Sequence, residues 1–452
     1  MSEGKSDKSK VFITFIPLGS HREVVDATRA AEFVEHWSTL LTEEEEEAAV
    51  KSLQLSNKSY TVQAADIIAQ FFSSINLGQL MDVNLSDIIA SLPEEDGLYV
   101  LQRLSDVLAS QSYPKRLVLS DNALGCKGIE ACTSLLQKMS LKELELCNNG
   151  LSEESMHRLA NLLRDSNSSS IQVIKIANNM SGRGGCEAMA AILRDSISNL
   201  KEFMFSGTRA DSVGSKMVAQ AILDIQPTLS LHSLHLADNV FSGEGAKLLS
   251  KSLATCQSLQ SLNLRDCCLS DEDDIPDLVE ALIQSSCPLQ YLDLSGNELT
   301  CSPGLKKLIS DKTSTLIALR LEENELQSKG VKALVKVLVK GRSKLKELLL
   351  GHNECSSKGA QALLDASSTL SLEILGLDGN AIPRTILHQL KETYGTILQE
   401  IHENNSDDED ESEEEDEEEH ENDSSEAEDI EQEEGEKIDE LAKELSKIGI
   451  KT

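Results

Sequence analysis

The sequence predicts an α/β leucine-rich-repeat solenoid, a horseshoe of ribonuclease-inhibitor-like repeats with a parallel concave sheet, convex helices and a disordered acidic tail. Three observations predict it. A motif of the form LxxLxLxxN recurs along most of the 452 residues, and its copies stand about 28 residues apart. The apolar content, 40% of the chain, is aliphatic, with only 3% aromatic residues. Self-similarity at a fixed period is the signature of stacked units, and a Leu-dominated interior suits such units better than a cofactor-binding enzyme core.

In chain order, residues 1–10 are polar and read as a disordered N-terminus, and residues 11–48 as an N-terminal cap. The repeat domain is placed at 49–400. Weaker copies end near Lys58 and Ile88, and the first clear one closes with LSDN at Asn122. LKELELCNN (Leu141 to Asn149), IQVIKIANN (Ile171 to Asn179) and LHSLHLADN (Leu231 to Asn239) follow. LQYLDLSGN, LIALRLEEN, LKELLLGHN and LEILGLDGN end at Asn297, Asn324, Asn353 and Asn380. Two units depart at the last position, with Thr208 and Cys267. Successive end points from Asn122 to Asn380 lie 27, 30, 29, 31, 28, 30, 27, 29 and 27 residues apart.

The two leucines of LxL point the same way on a short strand and enter the core. The Asn then turns the chain, its amide bonding backbone groups opened by the bend. Segments such as Gly125 to Met139 carry apolar residues at three- and four-residue spacing and read as helices.

The formal net charge of −35 argues against nucleic-acid or anionic-membrane binding, which need Lys/Arg-rich surfaces. Residues 401–436 read as an acidic disordered tail. From Asp407 to Glu436 there are 21 acidic residues and no Lys or Arg, leaving −35 + 21 = −14 for the rest. Such a run cannot bury enough apolar surface to offset its ordering entropy. Within residues 437–452, Ile438, Leu441, Ala442, Leu445 and Ile448 form one stripe of a short amphipathic helix. The ten cysteines form no CxxC pair and read as free thiols of a reducing compartment. No apolar run reaches the length of about 18 residues that a membrane span needs.

No phosphate-binding glycine loop, nucleophile elbow or metal-binding HExxH stands in a suitable context, so no cofactor or metal of its own is expected. Attention falls instead on the residue before each ladder position: Asp121, Asn148, Asn178, Gly207, Asp238, Asp266, Gly296, Glu323, His352 and Gly379. The N-terminal part of this row is rich in Asp and Asn, as a polar binding rim would be.

The units LSDNALGCKGIEA, LELCNNGLSEE, IANNMSGRGG, LADNVFSGEGA and LNLRDCCLSD resemble the GTPase-activating proteins of the nuclear-transport GTPase Ran, the plant-type branch above all. The closing ELAKELSKI segment is similar to a C-terminal helix of fungal members. The resemblance implies a regulator without an arginine finger. An Asn, at Asn148 here, holds the GTPase's own glutamine in position, while GTP and Mg²⁺ belong to the partner. It further implies a Ran-like GTPase in its GTP form as partner, with Ser86 and Asp87 matching the family's early-repeat Ser-Asp motif. Asp121, Asn178, Asp238 and Asp266 of the polar row are the other expected contacts. Ran-binding proteins are further expected partners, and the protein is expected to be monomeric, cytoplasmic and perinuclear. Two departures stand out. Leu92 occupies the place of the family's arginine in NLSDIIASLPEEDGL, and the Trp-Pro-Pro targeting domain is missing, Trp37 being the only tryptophan. A Ran binder with weakened activation, a ribonuclease-inhibitor-like binding scaffold and an acidic nuclear leucine-rich-repeat phosphoprotein are the alternatives.

Overall fold

Short strands built around the LxL pairs join into one parallel, 13-stranded sheet among the described residues. The computed structural model describes residues 11–43, 48–138, 141–165, 171–225 and 230–405, all within a unit spanning residues 1–407. The expected disordered N-terminus, the acidic run from 406 onward and the short helix at 437–452 lie outside the described residues.

The sheet begins with Phe12–Phe15, Ala49–Gln54, Asp82–Asn84, Arg116–Val118 and Glu143–Glu145. It continues in chain order through Ile171–Ala177 and Ile197–Ser206 to Ile374–Gly376. Its register places one apolar residue of each repeat in a single column: Val83, Leu117, Leu144, Ile174, Phe203, Leu234 and onward to Leu375. Every member of that column is buried. Helices such as Glu94–Gln111, Glu153–Asp165 and Gly182–Ser196 pack side by side behind the sheet, and the continuous core lies between the two layers. No single repeat closes this core alone, which is why neighbours stack.

The two ends are finished differently from the middle. The segment read as a cap contributes a strand of its own, Phe12–Phe15, paired in parallel with Ala49–Gln54. It also contributes the helix Ala27–Glu43. Aromatic residues, scarce elsewhere, concentrate here: Trp37 lies 5.3 Å from Phe15, 6.0 Å from Phe33 and 5.9 Å from Phe72, ring to ring. Wide rings bury a large apolar area at this end of the sheet. At the other end, residues 401–405, grouped on composition with the acidic tail, belong to the fold. Asp378 accepts the His402 and Glu403 amides at 2.7 and 2.8 Å, and the Asn404 Oδ1 takes the Ile382 amide at 2.9 Å. They supply the last repeat with the bonds that a following repeat would give.

The helix expected from Gly125 to Met139 is broken in two, Gly125–Ala131 and Thr133–Leu136, at Cys132. The Thr133 hydroxyl bonds back to the Glu130 carbonyl at 2.7 Å, offering the backbone a local alternative to the helical ladder. Met139 lies outside the described residues.

Candidate functional site

Two adjacent residues of each repeat divide structure from exposure. The ladder asparagines are buried and bond backbone, with the Thr208 hydroxyl on Asn239 as an added side-chain partner. Asn149 accepts the Asn122 amide on Oδ1 at 3.0 Å and donates Nδ2 to the Leu119 carbonyl at 3.1 Å. Asn179 repeats the pattern with the Asn149 and Leu151 amides. Both departures from Asn keep a donor in place. The Thr208 hydroxyl donates to Asn239 Oδ1 at 2.8 Å, and the Cys267 thiol donates to the Leu236 carbonyl at 3.5 Å.

The residue before each ladder position is left-handed, with φ between 50° and 70°, in twelve successive repeats from Asn57 and Asp87 to Gly379. Each of these amides donates to a carbonyl of the next repeat, as Asn148 does to Ala177 at 2.9 Å. Asn, Asp and Gly tolerate that backbone best. The Asp/Asn richness of the row therefore has a conformational cause before any partner is considered.

Within the row, the structure brings Asp121 and Asn148 together: the Asn148 Nδ2 donates to Asp121 Oδ1 at 2.8 Å, and both are exposed. A carboxylate only accepts, so the amide is held with its NH₂ end toward Asp121. Asn178 and Asp238 are exposed on either side of Gly207. A Cβ on Gly207 would meet Asn178 Oδ1 at 2.6 Å and Asp238 Oδ2 at 3.3 Å, so the bare glycine lets both side chains lean over it. Asp266 is half-buried, 3.1 Å from the Arg265 guanidinium, and burial raises its carboxyl above the usual range despite that cation. Asp87 is on the same row, bonded to Arg22 at 2.8 Å. Ser86 is half-buried and contributes through its backbone, accepting the Asn57 amide at 3.2 Å. Leu92 is half-buried against the core and lines a groove with Leu98, Leu101 and Leu124 beside Asp121.

On the open face of the sheet, Arg116 bridges Asp82 at 3.0 Å, Glu143 at 3.3 Å and Glu145 at 2.9 Å. Lys175 continues the chain of charges to Glu145 and Glu202. Further along, the His235 ring stacks on Tyr291 with centroids 6.4 Å apart, and the Arg320 guanidinium sits 5.0 Å from the Tyr291 ring. Burial, aided by Lys175, lowers the His235 pKa, so the imidazole is neutral near pH 7. Nor is the charge uniform. Lys329, Lys332, Lys336 and Lys340 stand exposed along one face of the helix Gln327–Lys340, a local basic surface that the whole-chain balance conceals.

Sequence reasoning missed the turn at residues 18–23 and the work of Lys58, which stands in a ladder position. The turn carries no repeat signature, and nothing in its composition sets it apart.

Comparison with known proteins agrees with this geometry. The family described as Leucine Rich Repeat matches residues 229–250, 255–273 and 288–308. The fold is that of leucine-rich-repeat proteins. The ribonuclease inhibitor of Mus musculus is 27% identical over 277 residues, 54% of this chain and 59% of its own. The RAN GTPase-activating protein 1 of Arabidopsis thaliana is 42% identical over 95 residues, 21% of this chain and 17% of its own. The Ran GTPase-activating protein 1 of Saccharomyces cerevisiae is 27% identical over 240 residues, covering 50% and 58%. The chain thus spans less than two thirds of each of these relatives. Among solved structures, an internalin from Listeria monocytogenes aligns over 72% of this chain and 80% of its own, at a TM-score of 0.40 and 13% identity. No helix among the described residues is long and apolar enough to cross a membrane.

Proposed function

We propose that this protein is a GTPase activator for the small GTPase Ran, acting in the cytoplasm in support of nucleocytoplasmic transport and contributing no active site of its own. One observation carries the reading. Asn148 is exposed on the rim, fixed by Asp121, while its neighbour Asn149 does the structural work of the repeat. An amide in that position is spared for a partner. Similarity to two Ran GTPase-activating proteins supports the choice of partner.

The chemistry asks little more than this. Ran holds GTP, Mg²⁺ and the glutamine that orients the attacking water, and phosphoryl transfer depends chiefly on positioning and charge stabilisation. Asn148 meets the partner's glutamine, limits its rotation and keeps it in the productive pose. Asp121 in turn limits the rotation of Asn148. Asn178, Asp238 and Asp266 flank that point and meet Ran's surface cations, while Asp87 and the backbone at Ser86 extend the contact toward the N-terminus.

The test is single-turnover release of phosphate from purified Ran·GTP with and without the full chain. An acceleration on the scale of ~10³–10⁵-fold, typical of GTPase partners, is the expected result. Binding without acceleration would instead favour a Ran binder with weakened activation, a second reading motivated by Leu92, whose half-buried apolar side chain offers the rim no donor.

A further inference from the structure

Between the strand Phe12–Phe15 and the helix Ala27–Glu43 the chain makes a turn at residues 18–23 that a dense set of bonds holds. Lys58 stands where the later repeats carry a buried Asn and is only 2% exposed. Its ammonium donates to the Gly19 carbonyl at 3.0 Å and to the His21 carbonyl, and it pairs with Glu23 at 3.0 Å. Arg29 adds a bond to the Leu18 carbonyl at 3.0 Å and a pair with Glu23 at 3.3 Å. Asn57, the rim residue of the same repeat, donates to the Ser20 carbonyl at 3.3 Å. A buried ammonium is tolerated only when fully paired, and here every partner lies in this one turn.

What the turn carries outward is Arg22. Its guanidinium is 2.8 Å from Asp87 Oδ1, and the two side chains are 47% and 21% exposed. Asp87 is the rim residue one repeat before Asp121 and two before Asn148, in the same left-handed row. A guanidinium has five N–H donors in a planar fork, and a single bond to Asp87 leaves most of that fork available. The neighbouring rim positions offer only carboxylates and amides, so the turn adds the opposite charge at the N-terminal end of the row.

We propose that the 18–23 turn is part of the partner-binding rim and that Arg22, positioned by Asp87, takes a surface carboxylate of the bound GTPase. This rests on the Ran reading above and deepens it. The planar fork matches a carboxylate in a way that a lysine does not.

The experiment uses the full chain and its Arg22→Ala and Arg22→Lys variants, with stimulated Ran·GTP hydrolysis followed across activator concentration at low and moderate salt. Arg22→Ala is expected to raise the half-saturating concentration about tenfold, as loss of an interface arginine typically does. The saturated rate should stay within about twofold and the melting temperature should not move, since an exposed ion pair adds little to folding. Arg22→Lys should recover part of the affinity, and added salt should weaken the parent more than Arg22→Ala. A parental half-saturation and salt response in Arg22→Ala, with stimulation intact, overturns this proposal and leaves the activator reading standing. Failure of the parent itself to bind or stimulate Ran overturns both.

Discussion

Replacing Asn149 should unfold the protein more readily, and replacing Asn148, the residue before it, should not. Asn149 is fully buried, and Asn149→Ala removes two bonds: the one its Oδ1 accepts from the Asn122 amide at 3.0 Å and the one its Nδ2 donates to the Leu119 carbonyl at 3.1 Å. The Asn122 amide is left buried and unpaired, at about 1–3 kcal/mol. The Leu119 carbonyl keeps the bond from Asn122 Nδ2 at 2.9 Å, so the bond lost there is worth about 0.5–1.5 kcal/mol. The two together cost about 1.5–4.5 kcal/mol. Asn148→Gly removes one exposed bond to Asp121, worth about 0.5–1 kcal/mol. It also accepts the φ of 54° without strain, whereas Ala there would add a conformational cost of about 1–2 kcal/mol. The comparison is therefore Asn149→Ala against Asn148→Gly, by urea unfolding followed through far-ultraviolet circular dichroism. The midpoint should fall clearly for the first and barely for the second. A loss below about 0.5 kcal/mol for Asn149→Ala, or equal losses for both, would refute the division of labour between ladder and rim.

Trp37→Ala should destabilise the N-terminal end by about 3–5 kcal/mol, because it empties the centre of the aromatic cluster; thermal unfolding that matches the parent would contradict the cap's role. The Glu23 carboxyl is held below its usual range: burial alone would raise it, but bonds to Lys58 and Arg29 outweigh that. A folded pKa below the unfolded value of 4.5 means stabilisation present above pH 4.5 and lost as pH falls through the folded value. The stability gap between parent and Glu23→Gln should accordingly close in acid, and a gap independent of pH would exclude the clamp.

The repeat positions are legible in the sequence because a period of two on the strand and the turn Asn leave their mark on every copy. The column from Val83 to Leu375 follows directly from the LxL pairs. The Asp/Asn row is legible as a row, but its composition suggests partner chemistry where the left-handed backbone selects much of it. What singles out Asn148 in the structure is the hydrogen bond with Asp121 across 27 residues, which no local pattern encodes. The strand Phe12–Phe15, the break at Cys132 and the closing residues 401–405 are hidden for a related reason. Each depends on the ends of the stack or on one side-chain bond back to the main chain. Lys58 is the sharpest case: by spacing it resembles the blurred end of a weak repeat, and it is instead the buried cation that fixes the 18–23 turn.

The central claim, that one rim amide sets the partner's glutamine, is tested most directly by measuring phosphate release from Ran·GTP at saturating activator with the parent and Asn148→Gly side by side. The account predicts a rate lower by orders of magnitude for the variant at similar affinity, since the amide's bond to the glutamine is made in the transition state. Equal saturated rates for the two proteins would contradict it.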